Sequence, residues 1–558
     1  MNGSGFSHRF GFSRSQWRSL LQFVCLACVC VALVVGCGGP QANAPTSSTS
    51  PASSATASGG RITMGTTQKV DTLDPADVYT IFGGILLYNM GDRLYAYKPG
   101  TTELIPQLAT DMPKVSADGL TYTIPLRTGV KLHDGTEFNA EVMKFSIDRF
   151  MKNGGDPAFL LADLLDSVEA TGPQELTLKL KYPFAAFPAI LSFWGVTPVS
   201  PKAYEIGEGK FKPDTFIGSG PYKLGSLTPD SVKLDVNPDY WGEKPANEGI
   251  DIQIYASPAN LYNTFRTGGL DVAYQTLDPD QIASLEREKS SGGWQVLEAG
   301  TTVVNYMTLN QKVEPTKDLN VRKAIAAMID RNLINDRVFQ GQADPLYSIV
   351  PTSFGVYKPV FKDAYGDGDF EKAKGFLTAA GYSESKPFNF ELWYPSSSTQ
   401  RGIVANTLKE SIEKALPGLV TVSINSAERA TLSEGVDNGL YQTVLLNWYP
   451  DFFDPDNFID PFLSCNEGSP DTLCKKGASQ GNGSFFYSKE ANDLIKQERA
   501  EQDTKARNAI FEKLQTLVAE DVTYIPLWQN KDYVFAKGGV SGAAIEPTQQ
   551  FLLWKISK

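Results

Sequence analysis

The chain has 558 residues, which is too long for one ordinary domain and predicts about two to four. Its hydrophobic content of 42% and charged content of 20% are typical of a globular protein. The formal net charge is −12, whereas a nucleic-acid-binding protein usually presents a basic face, so the composition argues against a nucleic-acid partner.

The N-terminal segment is typical of an export signal. Three arginines precede an uncharged apolar run at 20–35, which is shorter than the roughly 20 residues that cross a bilayer as a helix. The run ends in Val34-Val35-Gly36-Cys37, which resembles the cleavage site of a bacterial lipoprotein signal and the cysteine that receives the lipid. We therefore expect residues 1–36 to be removed as a signal peptide and Cys37 to carry a lipid anchor. The alternative is an uncleaved anchor helix, and either arrangement holds the protein at a membrane.

A low-complexity segment follows this cysteine. Residues 38–60 are Gly, Pro, Ser, Thr, Ala, Gln or Asn, with no large apolar side chain to bury. This composition predicts a flexible tether over 37–60. A domain on such a tether moves over the membrane surface but stays close to it.

Two cysteines lie beyond the tether, in a loop rich in Gly, Ser and Asn. Cys465 and Cys474 are nine residues apart and predict a small disulfide loop in an oxidising compartment, with two unpaired thiols as the alternative. A zinc site needs more ligands than these two and the single histidine of the mature chain, His133, readily supply. We expect no metal site.

The rest of the chain alternates strand-like and helical segments. Short apolar runs with strand-like composition occur at 61–65, 232–236, 250–255, 303–309, 389–393, 420–424 and 443–446. Longer segments with helical periodicity occur at 321–339, 370–380, 402–415 and 489–521. This alternation, with long crossovers, predicts a mixed α/β fold.

One block of the sequence carries a family resemblance. Asp118–Thr136 opens with a glycine turn, alternates as a strand does and turns again at Asp134-Gly135, and Asn139 then starts a helix. Through Arg149 this block resembles the signature of the extracytoplasmic solute-binding proteins of peptide and nickel ABC importers, family 5. Further landmarks of that family follow in the same order, at Gly218–Leu224, Asn237–Gly242, Leu270–Ala273, Asn320–Ile325, Trp448–Phe458 and Tyr524–Leu527.

The resemblance implies a fold: α/β, periplasmic-binding-protein-like of type II, with two lobes, a hinge and a small inserted third domain. Lobe I would comprise 61–90, 199–304 and 525–558. Residues 91–198 would form the inserted domain, and 305–524 would form lobe II. Two hinge strands would link the lobes near 304–306 and 523–526.

It also implies a function. The protein would be a substrate-binding lipoprotein that captures oligopeptides or dipeptides outside the cytoplasmic membrane and delivers them to an ABC permease. We expect a monomer without a cofactor, in the periplasm or another extracytoplasmic compartment. A non-peptide amine-bearing solute or a nickel complex is the alternative ligand, although nickel favours imidazole or thiolate ligands, which the mature chain scarcely has.

The stretch Asn447–Phe458 is where we expect the ligand. It places carboxylates among large aromatic rings in a segment broken by prolines. Dipeptide-binding relatives have Trp, two residues, Asp, two residues and then Asp-Pro-Asp-Asn-Phe, and Trp448, Asp451 and Asp454–Phe458 fit that pattern. The resemblance implies that Asp451 binds the α-ammonium group of the ligand, and that Trp448 and its neighbour Tyr449 line the pocket. We interpret Asp454 and Asp456 as structural caps of the segment that follows.

A cation for the ligand's carboxylate is less obvious. Dipeptide-binding relatives carry an arginine shortly after the strand that matches Phe390–Trp393, but residues 394–400 here have no charge. Arg401 is the nearest cation, and because it opens a helix it either contacts the ligand or faces solvent. The missing arginine favours longer peptides or another amine over a strict dipeptide. Tyr79, Trp393 and Trp528 are further candidates for the cleft, with ordinary core packing as the alternative.

An enzyme is the competing class. Any nucleophilic triad would have to use His133, which falls in a turn of the family signature, and the chain has no phosphate-binding loop and no zinc-protease helix. We therefore expect no catalytic residue. A hydrolase that uses a pair among Asp451, Asp454 and Asp456 stays open on spacing alone.

Overall fold

The structure is a computed structural model, and it describes residues 59–558. The predicted signal at 1–36, Cys37 and the tether up to residue 58 lie outside the described residues. The strands of the described part are β1 Ile62–Thr66, β2 Tyr95–Tyr97, β3 Leu104–Pro106, β4 Lys114–Val115, β5 Thr121–Pro125, β6 Leu165–Gly172, β7 Glu175–Leu180, β8 Tyr222–Thr228, β9 Ser231–Val236, β10 Gly249–Ile254, β11 Val272–Tyr274, β12 Trp294–Leu309, β13 Ala343–Pro345, β14 Phe388–Pro395, β15 Val420–Ala427, β16 Thr443–Trp448, β17 Glu467–Ser469, β18 Leu473–Lys476 and β19 Tyr524–Lys537.

The α-helices of the same part are α1 Ile81–Met90, α2 Ala140–Lys152, α3 Phe159–Ala162, α4 Phe187–Ile190, α5 Pro258–Arg266, α6 Pro279–Gly292, α7 Leu319–Met328, α8 Arg331–Ile334, α9 Val360–Tyr365, α10 Phe370–Ala379, α11 Thr399–Ala415, α12 Arg429–Asp437, α13 Asp460–Leu463, α14 Ala478–Gly481, α15 Lys489–Ala500 and α16 Thr504–Asp521. Within residues 59–558 none of these helices combines the length and the apolar character that a bilayer crossing needs.

A mixed sheet of eleven strands runs through the molecule, in the order β15-β14-β16-β12-β19-β11-β1-β10-β9-β8, with β13 beside β19. Its outer strands on one side, β8 to β11 with β1, come from the first half of the chain, and β14 to β16 on the other side come from the second half. A separate antiparallel sheet, β4-β5-β7-β6, belongs to the segment of chain between β1 and β8. The large sheet therefore has one half in each lobe.

The two long strands β12 and β19 join these halves. Trp294–Gly300 pair with Lys531–Lys537 on the β11 side, and Val304–Thr308 pair with the first part of β19 on the β16 side. The register is interrupted between Gly300 and Val304. The strands thus cross between lobes beside the predicted 304–306, and on β19 a few residues beyond the predicted 523–526.

The buried apolar side chains form three large clusters. The first draws on 62–90, 199–274 and 534–556, the second on 94–196 and the third on 304–528. Phe452 is the one buried member of the second cluster that comes from outside 94–196. It lies just after β16, so the loop after this strand packs into a cluster that is otherwise formed by 94–196.

Two helices that the sequence predicts as continuous are interrupted. The predicted helix at 489–521 is α15 and α16, because Asp503 caps a new helix at that point. The predicted helix at 321–339 breaks in the same way, where Asp330 caps α8. The apolar period continues across both breaks, but an aspartate side chain that accepts a hydrogen bond from the first turn starts a new helix.

Candidate ligand-binding cleft

The loop after β16 is organised by one asparagine. Pro450 and Pro455 prevent the loop from continuing as a regular element. The side-chain oxygen of Asn457 accepts hydrogen bonds from the indole nitrogen of Trp448 at 3.0 Å and from the backbone nitrogen of Asp451 at 3.1 Å. Asn457 is itself buried, so these two residues are positioned from within the fold.

Two of the three acids of this loop, Asp454 and Asp456, form ion pairs with arginines. Arg507 donates to both oxygens of Asp454 at 2.6 and 2.7 Å, and Arg499 donates to Asp456 at 2.7 and 3.0 Å. Such bidentate pairs satisfy carboxylates that have lost water. The side chain of Asp454 also caps the short 3₁₀ helix that follows, as predicted, whereas Asp456 pairs with Arg499 and caps nothing. Of the three acids in this loop, only Asp451 is therefore free to serve in the carboxylate pair of a hydrolase.

Asp451 differs from its neighbours because no cation compensates it. Within residues 59–558 no Lys, Arg or His nitrogen lies within 4.0 Å of its carboxylate, and the hydroxyl of Tyr79 donates to it. Burial raises the pKa of Asp451 above its ordinary 3.8, against the smaller opposing effect of this hydrogen bond. Burial and the adjacent carboxylate raise the pKa of Tyr79, which keeps the phenol a donor. The half-buried carboxylate thus lacks a positive partner among the described residues.

A cavity of about 360 Å³ lies beside this carboxylate. Aromatic side chains from both sides of the cleft form part of its walls: Tyr79, Phe159, Tyr182, Phe184, Trp448 and Phe452. The ring of Phe452 packs edge-on against Phe184, with centroids 5.9 Å apart. Asp163, Asp456, Asp460 and Arg499 line the same cavity, and Arg499 pairs with Asp456 and Asp460, so the cavity combines apolar area with polar groups, as small-molecule sites do.

A second cavity, of about 260 Å³, contains Arg401. The guanidinium donates to Asn305 at 3.0 Å, to Asn447 at 2.6 Å and to Ser398 at 3.2 Å, and its Nε is buried without a partner among the described residues. No carboxylate within residues 59–558 lies within 4.0 Å of it, and Arg429 lines the same cavity. Burial lowers the pKa of Arg401. The predicted cation therefore lies in a cleft and does not simply face solvent.

The two cavities share a wall. Asn447 and Tyr449 line the cavity of Arg401, whereas Trp448 and Asp451 line the aromatic cavity. Because successive side chains of a strand point to opposite faces, the end of β16 contributes to both. An uncompensated acid and an uncompensated base thus lie on the two sides of one short segment.

The remaining predicted residues are distributed as follows. Trp528 lines the Arg401 cavity together with Tyr449, which is 49% exposed and so presents much of its ring to the cleft. Trp393 lies outside both cavities, because its ring packs on Tyr441 with centroids 4.5 Å apart. His133 is half-buried, and its Nε2 lies 3.2 Å from the carbonyl oxygen of Gly220, as expected of a structural turn residue.

Cys465 and Cys474 are joined in a disulfide, with Cα atoms 5.7 Å apart. The bond closes the β17–β18 hairpin, which follows the Asp451 loop after α13. Neither cysteine lines the two cavities.

The sequence alone does not identify three contributors to the site. Phe452 is one apolar residue among many, Asn457 falls within the capping segment, and Arg429 opens a helix with no local signal. Phe452 packs against Phe184, which is far away in the chain, and Arg429 joins Arg401 only through the fold. The pattern Asn-Trp-x-x-Asp offers the only hint, because it places two groups near the later Asn457.

Comparisons with known proteins identify relatives of the chain. Residues 103–470 match the family model of the bacterial extracellular solute-binding proteins, family 5 Middle. The chain is 28% identical over 493 residues to Di/tripeptide-binding protein 2 of Pseudomonas aeruginosa, covering 83% of this chain and 87% of that protein. It is 26% identical over 497 residues to the probable D,D-dipeptide-binding periplasmic protein DdpA of Escherichia coli, covering 87% and 92%.

A solved structure has the same fold. The ABC transporter-associated periplasmic binding protein DppA of Helicobacter pylori, in complex with the peptide STSA, superposes with a TM-score of 0.71 at 24% identity, covering 90% of this chain and 98% of that one. This likeness confirms the predicted class of fold, a mixed α/β fold arranged in two lobes.

Proposed function

Since the chain belongs to family 5 of the bacterial extracellular solute-binding proteins, a family of substrate-binding proteins of peptide ABC importers, we propose that it captures short peptides with free termini. Asp451 would bind the ligand's ammonium group and Arg401 its carboxylate. Trp448, Tyr449 and Tyr79 would line the cleft around the peptide. The relatives named for di- and tripeptides support this ligand class.

Two half-buried side chains of opposite charge support the proposal: Asp451 and Arg401 line adjoining cavities, burial disfavours the charged form of each, and neither has an ionic partner among residues 59–558. An unpaired buried charge costs several kcal/mol, and a partner with the complementary charge recovers that cost. A zwitterionic peptide compensates both groups at once. A solute with only an amine would leave Arg401 uncompensated, and one with only a carboxylate would leave Asp451 uncompensated.

The position of Arg401 also bears on ligand length. Sequence alone disfavours a dipeptide, because no arginine follows β14 directly. Arg401 reaches the cleft from the first turn of α11 instead, where Asn305 and Asn447 orient its guanidinium. This placement supports short peptides as well as longer ones.

Closure of the lobes would couple capture to transport. The hydroxyl of Tyr79 donates to Asp451 across the cleft, and the backbone nitrogen of Ala185 donates to the carbonyl of Arg499 at 2.7 Å. A ligand between the lobes would add contacts that exist only in the closed state and so favour it. We infer that a permease recognises this state.

The anchor and the domain division belong to the same proposal. Cys37 would carry the lipid that holds the protein outside the cytoplasmic membrane, on the tether up to residue 60. The three hydrophobic clusters support a division into lobe I at 61–90, 199–304 and 525–558, an inserted domain at 91–198 and lobe II at 305–524.

Thermal unfolding of the purified protein with a panel of ligands tests the function. The panel contains dipeptides, tripeptides and longer peptides, amino sugars and chelated nickel. A ligand present at 100 times its Kd adds about 2.7 kcal/mol to the free energy of unfolding, which a melting curve resolves. We expect stabilisation by free peptides, with the peptide recovered intact by chromatography. Stabilisation only by an amino sugar or a nickel chelate would overturn the peptide assignment, and time-dependent cleavage would identify a hydrolase.

A further inference from the structure

A third cavity lies between the lobes, next to the cavity of Arg401. Its volume is about 120 Å³, far above the ~10–15 Å³ that a single water requires. Gln400 and Asn530 line both cavities, so the third one continues from the carboxylate end of the proposed peptide site. Lobe I contributes Thr276 and Asp532 to it, and lobe II contributes Gln342.

Asp532 has no partner in this cavity. Within the part of the chain that the structure describes, its carboxylate makes no hydrogen bond and no ion pair. The adjacent Lys531 also lines the cavity, but its ammonium group lies 3.5 Å from Glu298 and 3.6 Å from Asp344 and makes no ion pair with Asp532. Burial raises the pKa of Asp532 to about 7, with no cation to oppose it. The acid therefore titrates near neutrality, and a positive charge beside it would hold it ionised.

Two further acceptors line the same cavity. The amide oxygen of Gln342 and the hydroxyl oxygen of Thr276 are buried without a hydrogen-bond partner among residues 59–558. The amide nitrogen of Gln342 donates to the carbonyl of Pro279 at 2.9 Å, which leaves its oxygen as the free group. Gln275 and Thr276 both have positive φ, 50° and 66°, and a β-branched residue there is held under strain. The fold thus holds Thr276, one of the two acceptors, in a backbone conformation that this residue rarely adopts.

The chemistry of these groups defines their occupant. A carboxylate, an amide oxygen and a hydroxyl oxygen accept hydrogen bonds, and an ammonium or guanidinium group supplies three to five donors, no acceptor and a positive charge. A bound metal ion is disfavoured, because only one carboxylate is present. We propose that this cavity is a subsite for a cationic side chain of the ligand, formed by Asp532, Gln342 and Thr276. It rests on the proposed function and narrows it to short peptides with Lys or Arg next to their carboxylate end.

Calorimetry with a matched pair of dipeptides tests the subsite. Ala-Lys carries the ammonium group, and Ala-norleucine has a side chain of similar shape without it. We expect the wild-type protein to bind Ala-Lys about tenfold more tightly or better, since a desolvated charge-assisted hydrogen bond is lost with norleucine. In Asp532→Asn the preference should fall to about twofold or less, while the affinity for Ala-norleucine changes little. Asp214→Asn, which replaces an exposed acid in lobe I, is the control with the same change in net charge and should keep the preference.

The pH dependence of the preference gives a test that needs no variant. The other titratable groups near Asp532 are Lys531 and Tyr533 on its own strand and Tyr274 and Tyr449 on neighbouring elements. Burial raises the pKa of the three tyrosines, so none of them titrates near neutrality. The preference for Ala-Lys should therefore decrease from about pH 8 to about pH 6, as Asp532 takes up a proton.

The outcomes separate this inference from the proposed function. Equal affinities for the two dipeptides in the wild-type protein would overturn the subsite and leave peptide binding intact. An Asp532→Asn protein that keeps the full preference would overturn it as well. If neither dipeptide nor any longer free peptide bound, the proposed function would fail and the subsite with it.

Discussion

Replacement of Asp451 by asparagine separates binding from folding. The substitution keeps the shape of the side chain and the backbone contact with Asn457, but it removes the charge. A hydrogen bond to a charged group contributes about 1.5–3 kcal/mol, so the affinity for a peptide with a free amino terminus should fall about 10- to 100-fold. A larger loss would follow if the new amide also strained the cleft.

The same substitution should not destabilise the free protein. Burial raises the pKa of Asp451, so the folded protein holds this proton to higher pH than the unfolded chain does. The free energy of unfolding therefore decreases as pH rises from the ordinary 3.8 through the raised pKa, and the ionised acid is destabilising at neutral pH. The Asp451→Asn protein lacks this penalty. The melting temperature of the free variant should equal or exceed that of the wild-type protein.

Titration calorimetry of the wild-type protein and the variant, each with a tripeptide and its N-acetylated form, gives a thermodynamic cycle of four affinities. Acetylation removes the ammonium group, so it should weaken binding to the wild-type protein as much as the substitution does. Acetylation should then cost little further affinity in the variant, because the two changes remove the same interaction. Additive losses, or full affinity for the free peptide in the variant, would refute the assignment of Asp451.

Three further predictions concern Arg401, Tyr79 and the disulfide. Arg401→Gln should lower the affinity for peptides with a free carboxylate about 10- to 100-fold and leave the affinity for C-amidated peptides nearly unchanged. An equal loss of affinity for both kinds of peptide would refute the role of Arg401. Tyr79→Phe removes the hydrogen bond that lowers the pKa of Asp451, so the loss of affinity on acidification should begin at higher pH, and an unchanged profile in calorimetry would contradict this. The double variant Cys465→Ser/Cys474→Ser should lose about 2–3 kcal/mol of unfolding free energy in a urea titration, from the entropy of the loop it releases, with peptide affinity retained. No loss of stability would mean that the hairpin is held by its backbone bonds alone.

Local chemistry explains the parts of the site that could be predicted from the sequence. Trp448 and Asp451 lie within about ten residues of Asn457, and their spacing to it is short enough to form a pattern. The alternation of strands and helices likewise predicts the class of fold, since each element has its own apolar period. Such signals are visible because they depend on neighbours close by in the chain.

Long-range partners explain the parts that could not be predicted. Tyr79 contacts Asp451, which is 372 positions away in the chain. Arg499 and Arg507 pair with Asp456 and Asp454 from two helices that the sequence predicts as one. The place of Arg401 in the cleft depends on Asn305 of β12 and Asn447 of β16, which only the sheet brings together. No local pattern encodes these contacts, so the sequence by itself favours a solvent-facing arginine.

A crystal structure of the protein with a bound tripeptide tests the central claim most directly. We expect a peptide between the lobes, with its ammonium group at hydrogen-bond distance from Asp451 and its carboxylate at the guanidinium of Arg401. A peptide bound with its termini away from both residues, or bound outside the two cavities, would contradict it.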